Sequence, residues 1–327
     1  MQSLPQLDRR SIESLRPSVL RPAAGATPLD AVWEREAADK LGKQVDVQTI
    51  FLRGSECQFR CLMCDLWKFT HEQATPTGVL PAQIDTAMAQ LQADMQGTPT
   101  SEQWVKLYNA SNFFSTFNVP QDDLPRIAEQ VAPFHRVVVE NHPRLIGRPV
   151  AEFAQQINGQ LEVAMGLETI HPEVLPALNK QMTTADFQRA CQWLLSHQID
   201  IRTFILLRPP GLSEEEGVQW CSRSIDFANE AGVRHISVIP VRGGNGALEM
   251  LQQRGMFTPP TARSLELVMQ RHVANSQAIL TVDLWDWDKL SGHCPACSPL
   301  RREALYQANL SQSFSSKLLQ CATCDSP

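Results

Sequence analysis

The chain has 327 residues, 43% hydrophobic and 20% charged, with 29 Lys and Arg against 35 Asp and Glu and a formal charge of -6. That balance, without a low-complexity tract or a solenoid repeat, excludes a disordered chain and a repeat array, and it supplies no global positive field to gather nucleic acid. No run approaches the roughly 18 apolar residues of a membrane span, and MQSLPQLDRRSIESLRP sets charges and prolines where a secretory signal would be apolar, so a cytoplasmic protein with no membrane partner is expected.

Residues 1–44 read as an N-terminal extension with a short helix over LDAVWEREAADKLG, which Asp30 caps and Gly42 stops. VDVQTIFLRG (45–54) is an apolar-rich strand, followed by a cysteine loop and a helix over about 81–95 with Pro81 in its first turn. WVKLYNA (104–110) predicts a strand and 122–131 a helix; RVVVENHP (136–143) a strand and PVAEFAQQI a helix; LEVAMGLETI (161–170) a strand and TTADFQRACQWLLSHQ a helix. DIRTFILLRPPG (200–211) is the next strand, and Ser213 with Glu216 makes a capping box for the helix after it. HISVIPVRGG (235–244) is the sixth strand, after which GALEMLQQRG and ARSLELVMQRHVANS read as helices and AILTVDLWDWDKL as one more strand. Six strand-then-helix units predict an α/β fold with a parallel sheet, its strands apolar on both faces and its ligands beyond their C-terminal ends. The expected parts are an extension (1–44), a core (45–277) and a C-terminal strand with a small metal-binding module (278–327).

Nine cysteines, seven of them in close clusters, point to metal rather than disulfides; Cys191 and Cys221 stand apart and read as buried helix residues. Cys57, Cys61 and Cys64 follow directly on the first strand. A structural zinc site would close its shell with a fourth ligand, for which His71 is the nearest candidate. An iron-sulfur cubane held by three thiolates instead leaves one iron without a protein ligand, open to bind another molecule. Near the C-terminus, Cys294 and Cys297 with Cys321 and Cys324 form two CxxC pairs across a 23-residue spacer, a four-thiolate pattern for zinc or an auxiliary iron-sulfur cluster. Zinc is the favoured reading, because so short a module needs a metal staple, and His293 could replace one ligand. Arg301 and Arg302 in the spacer suit a phosphate contact or an exposed helix face, and Trp285 and Trp287, at strand spacing, are expected to pack the module on the sheet.

The strand ends carry polar groups: Asn109, Ala110, Ser111 and Asn112; Glu140, Asn141 and His142; Glu168, with Lys180 beyond it. A carboxylate that directly follows an apolar strand implies a ligand or an internal ion pair, since burying it alone is costly. Lys180 reads either as a carboxylate clamp or as a solvated lysine. The glycines of RGGNG (242–246) let backbone amides approach a ligand, or simply turn the chain. Arg144, Arg148, Arg202, Arg208, Arg234 and Arg242 could form a local basic patch or scatter over solvated surface.

CxxxCxxC after the first strand of such an array resembles the radical S-adenosylmethionine (SAM) superfamily, over about residues 45–275. The resemblance implies a partial (βα)6 TIM-like barrel, a [4Fe-4S] cluster on Cys57, Cys61 and Cys64, and SAM chelated at the open iron. It further implies reductive cleavage of SAM to methionine and a 5'-deoxyadenosyl radical, with an electron donor such as flavodoxin or ferredoxin. Met63 matches the position whose backbone contacts adenine. Asn109 and Ser111 stand where many members have a Gly-Gly-Glu stretch for the ammonium, a departure that leaves no carboxylate there. Glu140, Glu168 and Lys180 are the remaining expected cofactor contacts, and no catalytic residue is identified. VVVENHP, VAMGLETI, LNK, FILLRPPG and RGMFTPP resemble the elongator-subunit-like branch, and within it archaeosine-synthase-type proteins, with arginine in place of lysine at Arg208. That likeness implies a tRNA-nucleoside substrate, with carbon-nitrogen cleavage on a modified 7-deazaguanine base. A small metabolite as substrate, or a non-catalytic metal-binding RNA or protein adaptor, are the alternatives.

Overall fold

The computed structural model describes residues 4–95, 100–314, 321, 323 and 324. Eight strands follow one another in chain order across one sheet. They are β1 (Asp30–Ala37), β2 (Gln44–Phe51), β3 (Gln103–Tyr108), β4 (Arg136–Glu140), β5 (Gln160–Glu168), β6 (Asp200–Leu207), β7 (His235–Pro240) and β8 (Ile279–Val282). β1 pairs antiparallel with β2, and every later pair is parallel. The helices are α1 (Arg9–Ser14), α2 (Val79–Asp94), α3 (Leu124–Gln130), α4 (Arg148–Gln156), α5 (Val174–Ala177), α6 (Thr184–Ser196), α7 (Glu214–Glu230), α8 (Ala247–Gln253), α9 (Ala262–His272) and α10 (Ser298–Ser311). The sheet curls into a partial barrel of the expected α/β kind, with helical crossovers on its outer face.

The main core lies between that outer face and the helices. Val105 and Leu107, Val137 and Val139, Val163 and Met165, and Ile201 and Ile205 point outward at period two. α6 answers with Phe187, Ala190, Cys191 and Leu194, a single stripe at helical spacing, and Cys221 sits likewise on α7. Both isolated cysteines are packing residues, and each fully buried Leu or Phe of this layer contributes about 1.5–3 kcal/mol. A smaller cluster, including Ile12, Leu62, Leu178, Val241 and Leu248, packs α1 and α8 over the C-terminal ends of the strands. Ser213 and Glu216 form the expected capping box at α7.

Three expectations are corrected. Residues 30–37 are a strand, not a helix: the open edge of β2 offers a ladder, Trp33 donates to the Leu91 carbonyl at 3.0 Å on one face, and Glu34 and Glu36 meet Lys106 and Arg202 on the other. The sheet therefore extends into 1–44 and, through β8, into 278–327. The last strand ends at Val282 rather than running on to Leu290, because the chain turns and Asp286 takes a left-handed φ of 56°. The parallel strands, finally, are not apolar on both faces.

The barrel interior is polar. At the N-terminal ends of the strands, fully buried Glu162 accepts from Arg202 Nε at 2.7 Å, Arg136 Nη1 at 2.9 Å and Arg234 Nη1 at 2.8 Å. Arg202 also meets Glu36 at 2.9 Å, and Lys106 bridges Glu34, at 2.8 Å, to Glu36. The guanidinium carbons of Arg136 and Arg234 lie 4.8 and 5.0 Å from the Trp104 ring. Burial pushes the Glu162 carboxyl up, but the three guanidiniums together hold it well below the carboxylate range. Arg202 and Arg234 thus belong to a charged floor rather than to a surface patch. Among the described residues no helix is long and apolar enough to cross a membrane.

Candidate active site

The three-cysteine loop joins β2 to α2 and is shaped mainly by side chains from elsewhere. Asn118 Nδ2 donates to the carbonyls of Ser55 and Glu56 at 3.0 and 3.1 Å, and Asn179 Nδ2 to that of Arg60 at 3.0 Å. Gln181 Nε2 holds the Phe59 carbonyl at 3.0 Å and Asn245 Nδ2 the Leu62 carbonyl at 2.6 Å. The Phe59 ring stacks on His142, centroids 3.6 Å apart, while His142 Nε2 meets the Lys180 carbonyl at 2.9 Å. Buried Glu56, directly before Cys57, gathers Arg16 and Arg21 at 2.8 Å each and Arg60 at 2.7 Å. Asn112 Nδ2 approaches Cys57 Sγ at 3.3 Å.

These anchors point the three cysteines into one cavity of about 1860 Å³ inside the barrel mouth. Met63, Ser111, Glu140, Glu168 and Lys180 line it too, as do Lys106, Tyr108 and Arg202 from deeper in the barrel. Asn109 lies outside the lining, fully buried, and among the described residues neither its Oδ1 nor its Nδ2 has a hydrogen-bond partner. Ser111 Oγ and Glu140 Oε2 are likewise buried without one. Glu168 pairs with Lys180 at 2.6 Å, and Lys180 is itself buried, not solvated. A side chain on Gly166 would strike this pair, which explains the glycine inside β5. Ala110, Glu168 and Arg208, each at the end of a parallel strand, take left-handed φ of 53°, 66° and 56°, so backbone strain collects on the rim that carries the site.

Electrostatics follow from burial. Burial pushes the Glu140 carboxyl up to about 7, against the opposing pull of the Ala110 and Asn109 amides and of Lys180. His142 is driven down to about 3 by burial and by the Lys180 charge, so its ring is neutral. Burial works against the Lys180 ammonium, yet Glu168 and Cys61 hold it above the ordinary lysine value. Burial pushes the Cys61 and Cys64 thiols up, Cys64 to about 12. Thiolates here therefore require a bound cationic centre, and the donor set of three half-buried cysteines facing one cavity fits an iron-sulfur cluster.

Elsewhere the expected contacts divide. Two amides of the RGGNG loop, Gly244 and Gly246, donate to the Glu249 carboxylate, so this loop turns the chain and caps α8. A side chain on Gly246 would run into the Leu15 carbonyl, where the N-terminal segment crosses. His71 Nδ1 meets the Gln73 carbonyl at 2.8 Å. The four C-terminal cysteines bring their sulfurs within 4.8 Å of one another and could hold a metal ion. Residues 315–320, 322 and 325–327 of that expected module lie outside the described residues. His293 stacks on Trp287 instead of joining the four thiols, and Arg301 is buried against Glu266 at 2.6 Å, leaving only Arg302 on the exposed face. Trp287 donates to Ser298 Oγ at 2.8 Å, whereas Trp285 is half-exposed at the cavity mouth, edge-on to Phe51. The sequence reading missed Phe59, Glu56 and the arginines that clamp it; a glutamate placed directly before the first cysteine was the available signal.

No protein-family model matches the chain. An uncharacterised protein of Methanocaldococcus jannaschii is 23% identical over 89% of this chain and 83% of its own length. Archaeosine synthase subunit beta of Methanosarcina acetivorans is 25% identical over 83% of this chain and 80% of its own length. The protein of the same name from Thermococcus kodakarensis is 28% identical, over 48% of this chain and 50% of its own. Among solved structures, the N-terminally truncated archaeal Elp3 of Methanocaldococcus infernus matches at 15% identity and a TM-score of 0.49, over 71% of this chain and 60% of that one. Sequence similarity and the strand-end position of the three thiols agree: this chain resembles the archaeosine-synthase-type proteins of the elongator-subunit-like branch, within the radical SAM superfamily.

Proposed function

We propose that the chain is a radical SAM enzyme whose Cys57, Cys61 and Cys64 hold a [4Fe-4S] cluster and whose neighbouring strand ends hold SAM. The observation that carries this reading is one cavity shared by three half-buried cysteines and by Ser111 and Glu140, each with a buried polar atom that has no partner among the described residues. One electron delivered to the bound cluster, from a flavodoxin or ferredoxin, would break the sulfonium carbon-sulfur bond of SAM, leaving methionine and a 5'-deoxyadenosyl radical for hydrogen abstraction. The protein's own part is to orient and to exclude water. Asn112 steadies Cys57, His142 props the loop through Phe59, and Lys180, fixed by Glu168, places a positive charge beside Cys61. Met63, between Cys61 and Cys64 in the chain, lines the same cavity and is the expected backbone contact for the adenine. Ser111 and Glu140 offer acceptors to an ammonium group, with Asn109 behind them. In this reading 45–277 is the catalytic core, 1–44 its strap and edge strand, and 278–327 its closing module.

The substrate reading is a tRNA nucleoside. It is supported by the relatives named archaeosine synthase subunit beta and by an aromatic tier in the cavity: Phe51, Tyr108 and Phe204 with centroids 6.1 and 6.5 Å apart in succession, and Trp285 5.6 Å from Phe51. Such a tier suits a planar base. Anaerobic reconstitution should load four irons at the Cys57 loop, SAM should change the electron paramagnetic resonance spectrum, and dithionite should release 5'-deoxyadenosine. A Cys61→Ala protein that still forms deoxyadenosine would sink the enzymatic reading. Identical modified-nucleoside profiles in tRNA from cells with and without the protein would refute the RNA substrate.

A further inference from the structure

The barrel is open between β1 and β8, and α10 lies along that opening. An edge strand there would leave backbone groups unpaired. Two side chains of the α10 segment supply the missing ladder. Asn309 accepts from the Val282 N–H and donates to the Val282 carbonyl, both at 2.9 Å. Gln312 accepts from the Leu280 N–H at 2.9 Å and donates to its carbonyl at 3.0 Å. Leu280 and Val282 are two apart on β8, so the two carboxamides reproduce what a ninth strand would offer. On the other side of the gap, Lys40, just past β1, reaches Gln312 Oε1 at 3.3 Å. Arg302, Tyr306 and Asn309 face the cavity, which makes α10 its side wall.

Cys297 is the residue from which α10 starts, and Cys321 and Cys324 follow the helix in the chain. Their sulfurs lie 3.8 Å apart for Cys294 and Cys297, 3.7 Å for Cys294 and Cys321, and 3.8 Å for Cys297 and Cys324. Four thiolates at tetrahedral corners about 2.3 Å from one zinc ion are about 3.8 Å apart. In an iron-sulfur cubane each thiolate sits on a separate iron, at an outer corner, and sulfur-to-sulfur contact is lost.

We propose that Cys294, Cys297, Cys321 and Cys324 bind a single zinc ion that clasps α10 into the barrel opening, so that this metal, bound by residues other than those of the Cys57 loop, holds the side wall of the cavity. The proposal is independent of what the Cys57 loop binds. Metal analysis of the purified full-length protein should find about one zinc per chain, retained in Cys61→Ala and lost in Cys321→Ser. By hydrogen-exchange mass spectrometry, the segment 278–284 should exchange at least tenfold faster in Cys321→Ser, and in the parent protein stripped by a zinc chelator, while β4 and β5 keep their protection. The double variant Asn309→Ala with Gln312→Ala should speed exchange in the same segment while retaining zinc. Iron and sulfide at these four cysteines, unchanged exchange at 278–284 after zinc loss, or an equal rise across the whole sheet would each overturn the proposal.

Discussion

Glu140 and His142 stand two residues apart at the end of β4 and respond to burial in opposite senses. A carboxyl whose folded-state pKa lies above its unfolded value favours the folded chain at low pH, and that advantage is lost as pH rises from 4.5 to about 7. A buried neutral imidazole does the reverse: its contribution is present above 6.5 and is lost as pH falls toward about 3. Comparing Glu140→Gln with the parent isolates the first effect. In urea titrations of the apo protein, the variant should gain stability relative to the parent between pH 5 and pH 8, by about 1–3 kcal/mol. A difference independent of pH would show that this carboxyl is not forced up by burial. The motif around Glu140 was readable from VVVENHP, but a shift of this size depends on which groups surround the carboxyl in space.

The cysteine loop is an element without regular structure, and its shape depends on a strap. Residues 9–21 cross the rim, where Ile12 and Leu15 pack beside Leu62 and Met63 and Arg16 and Arg21 close on Glu56. Removing the charge of Glu56 leaves three guanidiniums facing a neutral amide, so the strap should loosen while the barrel stays folded. For Glu56→Gln we expect the amides of residues 9–21 to exchange at least fivefold faster by hydrogen-exchange mass spectrometry, with far-ultraviolet circular dichroism unchanged and less iron incorporated on reconstitution. Unaltered exchange in 9–21 would show that apolar packing alone holds the strap. Partners from elsewhere in the chain likewise explain why 30–37 was misread. Its helical composition is real, but the strand edge and the two cations, Lys106 and Arg202, that reward an extended chain belong to β2, β3 and β6.

The whole molecule is an apolar shell around a polar interior, closed below by the Glu162 floor. Three arginines converge on this one carboxylate, which makes its removal more damaging than loss of any single pair: the guanidiniums would remain buried without their shared partner. Glu162→Ala should lower the unfolding free energy by about 3–5 kcal/mol in guanidinium titrations. A loss below about 1 kcal/mol would mean that water reaches the floor and screens it.

Local pattern alone was enough for the succession of six strand-helix units, the capping box at Ser213, the buried roles of Cys191 and Cys221, and the two groups of clustered cysteines. Periodicity, capping and close spacing are properties of neighbours in the chain, and they survive without knowledge of the fold. Tertiary structure alone decided that 30–37 is an edge strand, that Arg202, Arg234 and Arg301 are interior, that Glu168 is tied to Lys180, and that Asn309 and Gln312 complete a sheet. Each of these depends on a partner between 12 and 166 residues away, and a charge or carboxamide carries no local mark of the group it will meet once the chain has closed.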